Sequence, residues 1–252
     1  IMIIENEVSP GEIGRATEHV LGYYYVQETS SMMPPIALNP KENEVIIDLA
    51  ASPGSKTTQI ASIINNTGTI IANEVSLGRI STNMQRCGTT NTIATHHDGV
   101  ALCNKLNKLN YKVDKILVDA PCSGEGTLRT SPRTASMFNI NMINKLSKIQ
   151  RKLAESALKV LKKEGIMIYS TCTHSPEENE EVIDYLLSKY PIELQEIKIP
   201  LKTRQGITKW KDKTYNEQVK KCARIYPMDN NTEGFFICKI KLLEEVKWKK
   251  NY

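Results

Sequence analysis

No apolar stretch in this sequence approaches the roughly 18 residues that a membrane-spanning helix needs, and the start lacks the basic-then-apolar layout of a secretory signal. Both absences lead us to expect a cytoplasmic protein with no membrane partner. The six cysteines, Cys87, Cys103, Cys122, Cys172, Cys222 and Cys238, stand singly. No C-x-x-C pair is present, so zinc and dithiol redox motifs lack a framework and a reducing compartment is expected. The Walker loop and the G-x-G-x-x-G fingerprint are also missing, as are internal repeats and low-complexity segments.

What remains is the composition of an ordinary folding chain. The 252 residues, 40% apolar and 24% charged, suffice for one large α/β domain with a short appendage. Lys and Arg total 33 against 28 for Asp and Glu, a formal charge of +5 that is compatible with an anionic partner without requiring one.

Ile116-Leu-Val-Asp-Ala-Pro-Cys-Ser-Gly124 is the most informative stretch. Val118 and its neighbours are apolar without alternation, the pattern of a parallel strand covered on both faces. Asp119, Pro121 and Gly124 then stop the strand and turn the chain, which puts Asp119 and Cys122 at a strand's carboxyl end, where open α/β sheets bind ligands. A buried Cys in a tight turn is the plain alternative.

The same logic organises the rest. Val45 to Leu49 reads as a first strand, residues 50–55 as a loop of small residues, and Lys56 to Ile64 as a helix. Strand, glycine-containing loop and helix together make the first unit of a nucleotide-binding domain. Thr69 to Glu74 is a second strand ending in an acid placed for ribose hydroxyls, with a solvated strand end as its alternative. Asn91 to Thr95 is a third, closing near His96-His97-Asp98, where Asp98 is suited to the amine of an adenine. The histidine pair lacks partner ligands, so no metal is expected.

Lys115 to Asp119 is the fourth strand. Ile143, Leu146, Ile149, Leu153, Ala157 and Leu161 recur at helical spacing, and Gly165 to Ser170 forms a fifth strand leading to Thr171-Cys172-Thr173. Pro176 opens a further helix whose first-turn acids complement its dipole. Gly22 to Gln27 suits a short strand, and Gly234 to Ile240 a final one, before a frayed Lys-rich tail to Tyr252. Between 191 and 233, Lys202, Arg204, Lys209, Lys211, Lys213, Lys220, Lys221 and Arg224, with Trp210 and Tyr215 interleaved, read as a phosphate-gripping surface or as a solvated basic face. If the fifth strand pairs with the fourth, the loops bearing Cys122 and Cys172 emerge side by side in one cleft.

Four motifs in this order carry a resemblance: Asp48 to Thr57 (DLAASPGSKT), Asn73 to Ser76 with Arg79, Asp119 to Gly124 (DAPCSG) with Gly126-Thr127, and Ser170 to Thr173 (STCT) followed by Pro176 to Glu180 (PEENE). With His19 to Gly22, Tyr24-Tyr25, Gln27 to Met32, Arg224 to Pro227 and Glu233 to Phe236, the chain resembles the Nop/Sun family of RNA cytosine-C5 methyltransferases over nearly its whole length. It departs from the family at Ser55, where a second glycine is usual, and at Ser52, often alanine.

The resemblance implies a Rossmann-like, doubly wound, mostly parallel sheet with a reversed C-terminal strand. Residues 1–40 would form an N-terminal segment packed on the core, and 41–252 the catalytic domain. It implies S-adenosylmethionine as cofactor, contacted by Asp48, Ala50, Ala51, Ser52, Pro53, Gly54, Ser55, Lys56, Glu74, Arg79, Asp98 and Asp119. It also implies Cys172 as the nucleophile, Cys122 as the residue aiding release, and Asp119 and Lys56 acting on the base. RNA is the expected partner, transfer RNA first and ribosomal RNA as rival, for a monomer with or without an accessory RNA-binding protein. A non-catalytic RNA-binding protein with an inherited fold is the alternative from another class.

Overall fold

A computed structural model describes residues 10–76, 78–137 and 139–246. The Lys-rich tail from 247 lies outside them. The chain runs through α1 (Pro10–Ile13), α2 (Thr17–Val20), α3 (Met33–Leu38), β1 (Val45–Asp48), α4 (Ser55–Ile63), β2 (Thr69–Glu74), α5 (Gly78–Arg86), β3 (Thr92–His96), α6 (Gly99–Lys108) and β4 (Val113–Asp119). It continues through α7 (Arg133–Met137), α8 (Ile140–Leu158), β5 (Leu161–Thr171), α9 (Glu180–Lys189), β6 (Ile192–Gln195), β7 (Arg204–Gln205), β8 (Lys209–Trp210), β9 (Lys213–Thr214), β10 (Ala223–Ile225), α10 (Pro227–Asn230) and β11 (Phe235–Leu242).

The main sheet has the order β3-β2-β1-β4-β5-β11, parallel from β3 to β5 and antiparallel at β11, with β6 and β10 sharing the far edge of β11. This is the doubly wound sheet with a reversed last strand. Neighbouring strand residues send side chains to opposite faces, and both faces are apolar. Ile47, Ile71, Ile116, Val118, Met167 and Tyr169 pack with α6, α8 and α9, whereas Ile46, Ile70, Leu117 and Ile168 pack with α3 and α4. That two-sided burial explains the unbroken apolar runs.

Three local expectations change. Gly22 to Gln27 is a turn and coil rather than a strand, because no neighbouring strand pairs with it; it meets α5 instead, where Arg86 lies 5.5 Å over the Tyr25 ring and donates to the Tyr24 carbonyl at 3.2 Å. The helix expected from Pro176 begins at Glu180, after a turn. Along α8 the buried stripe runs through Ile143, Ser147, Gln150 and Ala154, while Ile149 is exposed and Leu161 already belongs to β5. Asn139 caps that helix by accepting from the Asn141 amide at 2.8 Å.

Candidate active site

The pairing of β4 with β5 sets Asp119 opposite Ser170, and the loops beyond both strands leave on the same side. Cys122 and Cys172 therefore meet, their sulfurs 3.3 Å apart, both free and both half-buried. A hydrogen bond to Cys172, together with burial, pushes the Cys122 thiol well above its usual range. Beside them, Lys56 from the start of α4 pairs with Asp119 at 2.7 Å and donates to the Ser31 hydroxyl at 2.8 Å. Burial opposes the ammonium charge, yet Asp119, Asp48 and Cys172 outweigh it and hold Lys56 above its ordinary pKa. Ser170 donates to the other Asp119 oxygen at 2.6 Å, so the carboxylate is fixed from both sides.

Cys172, Lys56 and Asp119, but not Cys122, line a cavity of about 350 Å³ together with Ser52, Pro53, Ser55, Val26, Ala120, Tyr25, Gln27, Glu28, Ser31, Thr127, Glu233 and Phe235. The last nine are not among the residues expected from the sequence. Their signal was present in the Gln27 to Met32 and Glu233 to Phe236 motifs, but a motif does not say which of its side chains reach a pocket.

The expected cofactor residues lie around the carboxyl ends of β1 and β2. Asp48 is buried at the end of β1, where burial raises its carboxyl to about 7 despite a 2.7 Å bond from the Thr57 hydroxyl; its Oδ1 has no partner. Ala50, Ala51 and Gly54 shape the loop, and Gly54 takes φ +106°, a value that side chains other than glycine rarely adopt. Ser55 is helical, so the position where the family usually has a second glycine demands no positive φ here. Glu74 ends β2 and accepts from the Ser52 amide at 3.0 Å, tying loop to strand. Asp98 caps α6 through the Ala101 amide at 3.0 Å and is exposed. Arg79 lies exposed near the start of α5. Glu74, Arg79 and Asp98 stand outside the cavity that holds Cys172.

This donor set fits an adenosyl cofactor. Glu74 ends β2, Asp98 follows β3, and a small-residue loop after β1 leads into α4, the arrangement in which open α/β sheets receive a nucleoside. The unpaired Asp48 oxygen is a buried acceptor beneath that loop. No group of three His, Cys, Asp or Glu side chains among the described residues is arranged to hold a metal ion, and none of their helices is long and apolar enough to cross a membrane.

The basic segment is largely committed elsewhere. Arg224 is buried and makes a two-pronged pair with Glu180, both bonds 2.6 Å, and Tyr215 is also buried. Lys202 and Arg204 pair with Asp229, Lys211 with Glu177, Lys213 with Glu181 and Lys220 with Glu217. The acids after Pro176 thus serve as partners for this segment as well as complements to a helix dipole.

Residues 35–241 match the model of the family described as 16S rRNA methyltransferase RsmB/F. The tRNA (cytosine(49)-C(5))-methyltransferase of Pyrococcus abyssi is 42% identical over 90% of the chain and 73% of its own length. The ribosomal RNA small subunit methyltransferase F of Psychromonas ingrahamii is 39% identical over 94% of the chain, which spans only 49% of that relative. Among solved structures, a methyltransferase homolog protein from Pyrococcus horikoshii superposes with a TM-score of 0.82 at 38% identity, covering 93% of the chain and 73% of its own. NSun6 from the same organism, solved with SFG, gives 0.77 at 34% identity over 92% and 56%.

Proposed function

The chain belongs to the RsmB/F, or Nop/Sun, family of S-adenosylmethionine-dependent RNA cytosine-C5 methyltransferases, and from that premise we propose that it methylates transfer RNA through a covalent adduct on Cys172. The observation that carries the reading is the 3.3 Å approach of two free thiols beside the Lys56–Asp119 pair.

Cytosine C5 is a poor nucleophile, so electrons must first be pushed into the ring. The Cys172 thiolate adds to C6, forming an S–C6 bond and moving the C5–C6 electron pair towards C5. Asp119, positioned by Lys56 and Ser170, acts in its protonated form as the donor that hydrogen-bonds or protonates the base at N3, relieving the negative charge that develops as the thiolate adds, and the Lys56 cation lies within electrostatic reach of Cys172. When bound, S-adenosylmethionine supplies an electrophilic methyl group on its sulfonium sulfur. Glu74 and Asp98 hold its ribose and adenine, with Arg79 and the 50–55 loop around it. Once C5 carries the methyl group, the C5 proton leaves to a base, its bonding pair restores the C5–C6 double bond, and the S–C6 bond breaks to return the Cys172 thiolate.

Cys122 assists this last stage. In the free protein its proton is held by Cys172 and by burial. With the Cys172 sulfur bonded to carbon, that hold weakens, and Cys122 can release its proton to solvent and, as a thiolate, accept the proton that leaves C5.

The target base must be unstacked to reach the cavity, and the exposed Arg129 and Arg133 follow Thr127 of its wall as candidates for neighbouring phosphates. Within the 1–40 segment the described helix α3 packs on the sheet of the catalytic domain that begins at 41, and the protein acts as a cytoplasmic monomer. Ribosomal RNA is the second reading, favoured by the bacterial relative named above.

Bisulfite sequencing of RNA from cells with and without the protein separates the two substrates. A protein-dependent methylcytosine in transfer RNA is expected, and one found only in ribosomal RNA overturns the choice. Cys172→Ala is expected to abolish both turnover and the covalent RNA adduct; methylation at the normal rate removes Cys172 as nucleophile. Cys122→Ala is expected to accumulate an adduct that survives denaturant.

A further inference from the structure

Cys122 sits in a loop beyond the last β4–β5 backbone contact, the Ala120 amide donating to the Ser170 carbonyl at 2.9 Å. From there, side chains rather than the sheet fix the backbone on either side of the thiol. Gln150, wholly buried on α8, donates to the Pro121 carbonyl at 2.9 Å. The Ser123 amide donates to Glu178 Oε2 at 3.1 Å, and the Ser123 hydroxyl donates to Glu178 Oε1. Gln150 also donates to Glu178 at 2.7 Å, so one amide and one carboxyl close a ring around Pro121-Cys122-Ser123. Glu178 itself is wholly buried.

A second carboxylate joins this clamp to the other thiol. Ser123 and Thr173, each next to a cysteine, lie 3.0 Å apart at their hydroxyls; Thr173 and Ser175 donate to Glu125, and the one hydrogen of the Ser123 hydroxyl is shared between Glu125 and Glu178. The two acids are shifted in opposite directions. Burial raises the Glu178 carboxyl despite its bonds to Ser123 and Gln150, whereas at Glu125 the hydroxyls of Ser123, Ser175 and Thr173 outweigh burial and lower it.

An apolar filler on this face of α8 would pack without any desolvation cost, whereas the buried amide and carboxyl carry one, increased by a Gln150 Oε1 that has no partner. The bonds they do make converge on the three residues centred on Cys122. We propose that Gln150 and Glu178 are positioning residues for the release of the methylated base: they hold the chain on both sides of Cys122 so that its sulfur stays against Cys172. This rests on the reading above in which Cys122 acts on the adduct. A shift of about 1 Å at such a group costs on the order of a hundredfold in rate. Cofactor binding and the first attack use neither Gln150 nor Glu178.

The test uses the whole chain with a transfer RNA transcript and S-adenosylmethionine, comparing Gln150→Met, Glu178→Gln and Cys122→Ala. Turnover, denaturant-stable protein–RNA adduct and cofactor affinity by calorimetry are measured for each. Gln150→Met keeps the length of the side chain without its amide, and serves if the Glu178 variant fails to fold. The expected result is turnover down roughly tenfold to a hundredfold, cofactor affinity within twofold of the parent, and adduct accumulating as in Cys122→Ala. Normal turnover in Gln150→Met overturns the proposal. So does slow turnover without adduct while Cys122→Ala accumulates it, because the residues then act on another step. Parallel loss of cofactor binding assigns them to fold support instead. Absence of adduct in Cys122→Ala as well overturns the release reading itself, and thereby separates the two failures.

Discussion

Two cavities of similar size differ in everything except volume. One, about 350 Å³, lies at the carboxyl ends of the parallel strands and holds Cys172 with the Lys56–Asp119 pair. The other, about 390 Å³, lies between α8, α9 and the β8–β9 hairpin and is walled by Arg151, Glu181, Asp184, Tyr185, Lys213 and Tyr215. In the second, Glu181 takes both Arg151 and Lys213 at 2.8 Å, so its charges are spent on one another. In the first, a nucleophile and an ion pair stand at a wall open to a ligand. Volume therefore says little about function here, whereas a free thiol beside the ion pair, which the second cavity lacks, says much.

The comparison sharpens under substitution. Lys56→Met removes a fixed charge from the reacting cavity and is expected to slow methylation about 100-fold to 1,000-fold in single-turnover assays. A loss of less than threefold would reduce Lys56 to a structural partner of Asp119 and Ser31. Asp48→Asn tests the ground beneath that cavity. With its carboxyl raised from 3.8 to about 7, the folded protein keeps a proton that the unfolded chain has released, so stability falls as pH climbs from about 4 to about 7 and then levels off. The variant should lose this slope and be the more stable form above pH 7 by up to about 4 kcal/mol in urea titrations. An unchanged slope assigns it to other groups.

Glu74→Ala is expected to weaken cofactor binding roughly tenfold by calorimetry, since one charged hydrogen-bonding partner is lost. Unchanged affinity excludes the ribose contact. The smallest effect is expected in the second cavity, where Lys213→Ala should cost less than about 1 kcal/mol in thermal unfolding and leave methylation at the parent rate. A strong loss of activity there would break the distinction between the two cavities.

The core of the fold was legible because burial on both faces leaves its mark on every strand residue. Asp48, Glu74 and Asp119 could be read as strand-end acids, and the strand succession brought Cys122 and Cys172 together as soon as β4 and β5 were taken as neighbours. Where legibility failed, polar side chains were inside. Helical periodicity favoured Ile149 for the buried face of α8, but Gln150 faces inward because it holds Pro121 and Glu178. Arg224 reads as a phosphate ligand until Glu180 is seen to grip it, a pair whose disruption should cost about 3 to 5 kcal/mol. Ser31 gave no sign that it would reach Lys56 across 25 residues.

The sequence by itself determined the parallel sheet, the acids at its strand ends and the family, because hydrophobic pattern and local motif spacing are properties of short stretches of chain. Tertiary structure alone decided which hydroxyls, amides and carboxylates meet around the thiols, and which cations are already neutralised. A polar side chain's partner is fixed by distance in space, and every charged residue looks equally available until the chain has closed around it.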